Sequence, residues 1–125
     1  MLRVLIVEDW FLVAEEVERM VHRLGHEVVA RAPDLESAVR LAREETLDAA
    51  VLDVNLEGRL VFPAADLLAE RGVPFVFASG YDASVVPERY RHVPRVSKPF
   101  TVEQLAAALA SVCGLDGDGT RPDGG

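Results

Sequence analysis

The chain has a single cysteine, Cys113, so it closes no internal disulfide. That cysteine falls in a late helical period and reads as a packing residue. No apolar run reaches the roughly 18 residues that a membrane-spanning helix needs. No signal-peptide pattern precedes the first apolar run, and a soluble, cytoplasmic protein is expected. Basic residues are few: 13 Lys and Arg stand against 21 Asp and Glu, a net charge of −8. That balance argues against nucleic acid and anionic membrane as partners, and favours a protein with a basic or mixed surface. The three histidines, His22, His26 and His92, show no metal-ligand spacing and read as surface residues. Repeats are absent as well. From Leu115 to Gly125 no periodicity remains, which predicts a disordered tail on a single folded domain of residues 1–114.

What is present is regular. Half of the residues are hydrophobic, enough for a real core. Apolar runs at 3–7, 27–31, 49–53, 74–78 and 94–97 read as strands. Helical periods cover 10–24, 35–45, 62–71 and 101–113. In the first, Val13, Val17, Met20, Val21 and Leu24 form one core-facing stripe, and Gly25 ends it. Asp34 caps the second, Pro63 opens the third and Gly72 closes it. Thr101 and Gln104 make a capping box for the last. Strands alternating with helices imply parallel βαβ units, and nearly all-apolar strands imply a sheet covered on both faces. One link is short. Only 19 positions separate Ser79 from Lys98, and Pro87 and Pro94 interrupt them. One to two turns of helix are expected near 87–92.

The polar residues that matter sit at strand ends. Asp53 closes the run Ala49-Ala50-Val51-Leu52, where a carboxylate is costly without a chemical role. Glu8 and Asp9 end the first strand, Ser79 the fourth, and Lys98 the fifth, before Pro99. Ligands of open α/β sheets bind beyond such ends. Asp9, Asp53 and the backbone carbonyl of Asn55 suit one Mg²⁺ ion, with Glu8 acting through a water. Asp53 can form an aspartyl phosphate, with the cation and Lys98 balancing the charge and the Ser79 hydroxyl reaching a phosphoryl oxygen. Each residue has a plainer alternative. The acidic pair could be a solvated loop, Ser79 a turn residue before Gly80, Lys98 a surface lysine, and Asp53 half of a buried ion pair with Lys98. Lys98-Pro99 suggests a tight, cis turn.

Glu8-Asp9, Asp53, Ser79 and Lys98-Pro99 together resemble the signature of two-component response-regulator receiver domains. The spacing agrees, with 44 positions from Asp9 to Asp53 and 26 from Asp53 to Ser79. The resemblance covers residues 2–113. It implies a flavodoxin-like α/β fold, a doubly wound five-stranded parallel sheet of order 2-1-3-4-5, here with a shortened fourth helix. It also implies phosphorylation of Asp53 by a histidine kinase or histidine phosphotransfer protein. The run from Pro74 to Tyr81 is similar to the Pro-Phe-x-Phe-Ala-Thr-Gly-Tyr run of a bacterial subgroup of single-domain receivers found in phosphorelays, with serine for threonine at Ser79. Receivers usually carry an aromatic switch residue three positions before the lysine. Arg95 stands there, and Tyr81 could move instead.

The expected function is a phosphorylation-controlled interaction module without a DNA-binding output domain, and not an enzyme in the ordinary sense. A phosphatase of the haloacid dehalogenase kind would need an aspartate two residues after the nucleophile, where this chain has Asn55. A binding module that never cycles phosphate, and a receiver belonging to a larger hybrid kinase or regulator, are the remaining alternatives.

Overall fold

Five strands pair side by side, all parallel, and their order sets the site. A computed structural model describes residues 1–80 and 83–114 of the chain. The strands are β1 (Arg3–Val7), β2 (Glu27–Ala32), β3 (Ala49–Asp53), β4 (Phe75–Ser79) and β5 (Arg95–Ser97), in the order β2-β1-β3-β4-β5. The helices are α1 (Phe11–Arg23), α2 (Leu35–Glu44), α3 (Phe62–Glu70) and α4 (Val102–Cys113). This is a flavodoxin-like, doubly wound architecture. Register brings Val7 beside Leu52, Asp53 beside Ala78, and Ser79 beside Ser97, so the strand ends that precede or carry Glu8, Asp53, Ser79 and Lys98 lie in one row.

The strands are buried on both faces, and side chains alternate between two cores. Leu5, Val7, Ala50, Leu52, Phe75 and Phe77 face one side, with residues of α2 and α3. Val4, Ile6, Ala49, Val51, Val76 and Ala78 face the other, with residues of α1 and α4. Cys113 is half-buried against this second core, as its packing role requires. Among the described residues no helix is long and apolar enough to cross a membrane.

Local chemistry explains the helix ends. Asp34 Oδ1 accepts from the Ser37 backbone N–H at 2.8 Å and caps α2. Pro63 lies in the first turn of α3. At Thr101 both arms of the capping box form, at 3.1 Å and 2.8 Å. Each such cap stabilises a helix by about 1 kcal/mol. Gly25 and Gly72 follow α1 and α3 with φ of 84° and 70°. The Lys98–Pro99 peptide is cis.

One sequence expectation changes and two local features are added. His26 is buried, not on the surface, and its Nδ1 accepts from the Leu2 N–H at 3.0 Å. The Leu2 backbone just before β1 lies against the ring. Between β4 and β5 the expected helix near 87–92 is a single 3₁₀ turn, Glu88–Tyr90, and a second 3₁₀ turn spans Ala83–Val85. Pro87 fixes the start of the later turn, and Pro94 ends the segment before any α-helical turn can extend. Asn55–Leu56 and Arg59–Leu60 form a small antiparallel ribbon that the periodicity did not reveal. Tyr81 and the expected tail, 115–125, lie outside the described residues.

Candidate functional site

The ribbon after β3 makes one wall of the site. Its two-residue turn places Glu57 at φ 52° and Gly58 at φ 92°. Both central positions are left-handed, as a tight hairpin turn of this hand needs. Glycine adopts that conformation freely, whereas glutamate is strained there. Asn55 Oδ1 accepts from the Gly58 N–H at 2.6 Å and closes the turn. The Glu57 N–H in turn donates to Asp9 Oδ2 at 3.1 Å. A strained backbone therefore holds one acid of the cluster in place.

Glu8, Asp9 and Asp53 offer carboxylate oxygens that all lie within 4.8 Å of one another. Glu8 and Asp53 are buried, at 5 % exposure each. One cation faces them. Lys98 donates to Glu8 Oε1 in a short hydrogen bond, and its Nζ lies 3.3 Å from Asp53 Oδ2. The other Glu8 oxygen, Oε2, accepts from the Trp10 backbone N–H at 3.1 Å. Asp53 Oδ1 accepts from the Asn55 N–H at 3.4 Å. Burial pushes the Asp53 carboxyl up from 3.8 to about 7; the charge of Glu8 adds to the rise, and Lys98 opposes it.

A cleft of about 580 Å³ opens over this cluster. Glu8, Asp9, Asp53, Asn55 and Lys98 line it together, with Trp10, Glu57 and Gly80 at its rim. Trp10 is 68 % exposed. Crowded oxygen donors with a single ammonium between them form a hard, electron-rich pocket suited to a small divalent cation.

Ser79 is placed differently. It is buried at the end of β4, and strand alternation puts it on the face of Phe75 and Phe77. It is not among the residues that line the cleft. Its backbone carbonyl accepts from the Lys98 N–H at 3.1 Å, which ties the two strand ends together. Arg95 is exposed on the edge strand β5, next to Phe77.

Reasoning from sequence missed Tyr90. Its ring is buried among Phe62, Phe75 and Phe77, with centroid separations of 6.2, 5.5 and 6.0 Å. Its hydroxyl donates to Asp66 of α3 in a short hydrogen bond. Arg89 donates to both Asp66 oxygens at 3.1 and 3.2 Å, and its guanidinium sits 4.9 Å from the Tyr90 ring centre. Burial, and then the bond to Asp66, hold the Tyr90 phenol above its ordinary range. These contacts fasten the 3₁₀ link to α3. The signal in the sequence was an aromatic residue with a polar tip between two prolines.

Comparison with known proteins agrees with this geometry. The family described as the response regulator receiver domain matches residues 4–110. Curated relatives include the transcriptional regulatory protein PdtaR of Mycobacterium tuberculosis, 31% identical over 111 residues, which are 86% of this chain and 54% of PdtaR. The phyllosphere-induced regulator PhyR of Methylorubrum extorquens is 32% identical over 111 residues, 86% of this chain and 42% of PhyR. The chain thus spans about half the length of the curated relatives it matches. Among solved structures, SdrG from Sphingomonas melonis Fr1 is 39% identical, with a TM-score of 0.79 over 87% of this chain and 93% of SdrG. The BeF3-activated conformation of SdrG gives 38% identity and a TM-score of 0.75, over 89% and 95% of the two chains. By its matched length, its sheet order and its acidic cleft, the chain belongs to the response regulator receiver domain family.

Proposed function

We propose that this protein is a cytoplasmic phosphoacceptor switch, which takes a phosphoryl group onto Asp53 from a histidine kinase or a histidine phosphotransfer protein. The observation that supports it most is Asp53 itself, buried beside two other carboxylates and 3.3 Å from the Lys98 ammonium. Asp9, Asp53 and the Asn55 carbonyl would hold Mg²⁺, with Glu8 acting through a water. A bound divalent ion neutralises charge on the phosphoryl oxygens. Asp53 attacks phosphorus through a carboxylate oxygen, the phosphorus–nitrogen bond of the donor breaks, and the imidazole leaves with the electron pair. Lys98 balances charge on the group as it arrives.

The phosphoryl group gives Lys98 and Ser79 a new acceptor. Ser79 would have to turn from the Phe77 face toward Asp53, and Lys98 would loosen its hold on Glu8. Their shared backbone hydrogen bond makes the two shifts a single event. The two-state element is then the segment from Ser79 to Lys98, with Tyr81 and Arg95 reporting the change to a protein partner. A second reading, a receiver module within a larger regulator, is favoured by the half-length match to PdtaR and PhyR.

The test is intact-protein mass spectrometry after incubation with acetyl phosphate and Mg²⁺. One phosphoryl group is expected, labile to hydroxylamine and absent in Asp53→Asn. Labelling that persists in Asp53→Asn, or none in the wild type with any phosphodonor, overturns the assignment and leaves a binding module that never cycles phosphate.

A further inference from the structure

His26 lies at the end of the sheet opposite the acidic cleft and takes no part in it. It is 7 % exposed. Its backbone N–H donates to the Val21 carbonyl at 3.1 Å, which fixes it just after α1. His26 and the next residue then take both backbone polar groups of Leu2. The His26 Nδ1 accepts from the Leu2 N–H at 3.0 Å, and the Leu2 carbonyl accepts from the Glu27 N–H at 2.9 Å. Leu2 is itself buried. Two consecutive residues thereby clasp the start of β1 to the start of β2.

A backbone N–H can only donate, so Nδ1 accepts and carries no proton in this bond. An imidazolium carries a proton on both nitrogens. It would turn an N–H against the Leu2 N–H and place a charge in a dry site. The groups around the ring do not offset that cost. On the β1 side stand the Met1 amino group and Arg3, and in the last turn of α1 stand His22 and Arg23. The Glu27 carboxylate pairs with the Arg3 guanidinium at 3.3 Å, and Asp48 Oδ2, before β3, accepts from the Arg3 backbone N–H at 2.8 Å. From the end of α4 come Val112 and the Cys113 thiol. With Leu2 and Asp48 they line a cavity of about 380 Å³, which gives a released segment room to move.

We propose that His26 is an acid-sensitive clasp: a proton taken from water onto Nδ1 breaks its hydrogen bond to the Leu2 N–H and frees the start of β1 from β2. The clasp is complete above the free imidazole value of about 6.5 and weakens as pH falls below it, because the open form binds one more proton. Asp53 acts with the opposite sign, since its contribution is lost as pH rises. The clasp goes beyond the phosphoacceptor reading and stands without it.

The test is amide hydrogen exchange of the ¹⁵N-labelled full chain at pH 7.5 and pH 5.5, corrected for the intrinsic exchange rate. Protection of the Leu2 and Glu27 amides should fall about tenfold between the two values, as one proton of linkage requires. Val51, in the middle of the sheet, should change about twofold or less. His26→Asn keeps an acceptor at the Nδ1 position and cannot titrate, so its protection should be nearly constant. The Arg3–Glu27 pair is present in both proteins, and the difference between them isolates the imidazole. Long-range ¹H–¹⁵N spectra of the wild-type ring keep the test alive if the variant misfolds: the closed form should still lack a proton on Nδ1 at pH 5.5. Asp53→Asn should show the same loss as the wild type, so a failed phosphorylation experiment leaves this one intact. The proposal is overturned by unchanged protection in the wild type, by an equal loss in His26→Asn, or by a ring protonated on both nitrogens while Leu2 stays protected.

Discussion

Lys98 bonds Glu8 more closely than it approaches Asp53, so the single ammonium of the cleft is shared between two buried carboxylates. Glu8 therefore holds Lys98 over the cleft. The same sharing leaves Asp53 under-compensated, which is why burial and the charge of Glu8 prevail and its carboxyl titrates at about 7.

Asp53→Asn should stabilise the metal-free protein at alkaline pH. The folded pKa is raised from 3.8 to about 7, so the wild type's relative stability is complete below the lower value and falls as pH rises through the higher one. The variant lacks this loss. Allowing for solvent screening and for the lysine, the advantage should grow from near zero at acid pH to about 1–2 kcal/mol at pH 8. Thermal melts in EDTA at several pH values measure it. A difference that stays constant across pH would refute the titration of Asp53 as its cause.

Mg²⁺ should bind weakly and change the fluorescence of Trp10, whose backbone N–H donates to the Glu8 carboxylate and whose side chain lines the cleft. Asp9→Asn should weaken the metal about tenfold or more, since one of few hard ligands is lost. Protons compete for the same oxygens, so binding should tighten from pH 6 to pH 8. Fluorescence titration at these two pH values tests both statements.

Glu57→Asn should raise stability by about 0.5–1 kcal/mol, because asparagine accepts the left-handed conformation with less strain. The backbone N–H that holds Asp9 is retained, so Mg²⁺ affinity should change less than twofold. Chemical denaturation paired with the fluorescence titration checks this. A lower stability in the variant would show that the glutamate side chain has a role the turn does not reveal.

Tyr90→Phe keeps the ring in its aromatic cluster and removes only the bond to Asp66. A loss of about 1 kcal/mol is expected, with faster hydrogen exchange in residues 84–93 and little change elsewhere. Arg89→Ala should cost less, because its pair with Asp66 is half exposed.

Most of the fold was legible because its strands are continuous apolar runs and its caps follow local rules, as at Asp34, Pro63 and Thr101. The acids and the lysine were legible because polar groups at the ends of such strands are expensive. The ribbon at 55–60 was hidden, since two-residue strands carry no period. His26 was misread because burial of one imidazole depends on the neighbouring Leu2 backbone, which spacing does not encode. The Tyr90–Asp66 bond joins residues 24 positions apart and rests on tertiary placement alone. Ser79 was read as a strand-end hydroxyl, and alternation along β4 puts it on the face of Phe75 and Phe77.

The 3₁₀ link has a consequence for speed. Its backbone is held by a few local bonds, Tyr90 to Pro87, Arg91 to Glu88 and Val93 to Tyr90. Rearranging it breaks local bonds of this kind and the Tyr90–Asp66 latch, whereas a packed α-helix would have to slide or unwind as a unit. Loop-scale motions run from nanoseconds to microseconds, and helix shifts reach milliseconds. Under the proposed phosphorylation, residues 83–93 would equilibrate many times within the life of one phosphoryl group, and a partner would meet a time-averaged surface whose composition, and not whose arrival, carries the signal.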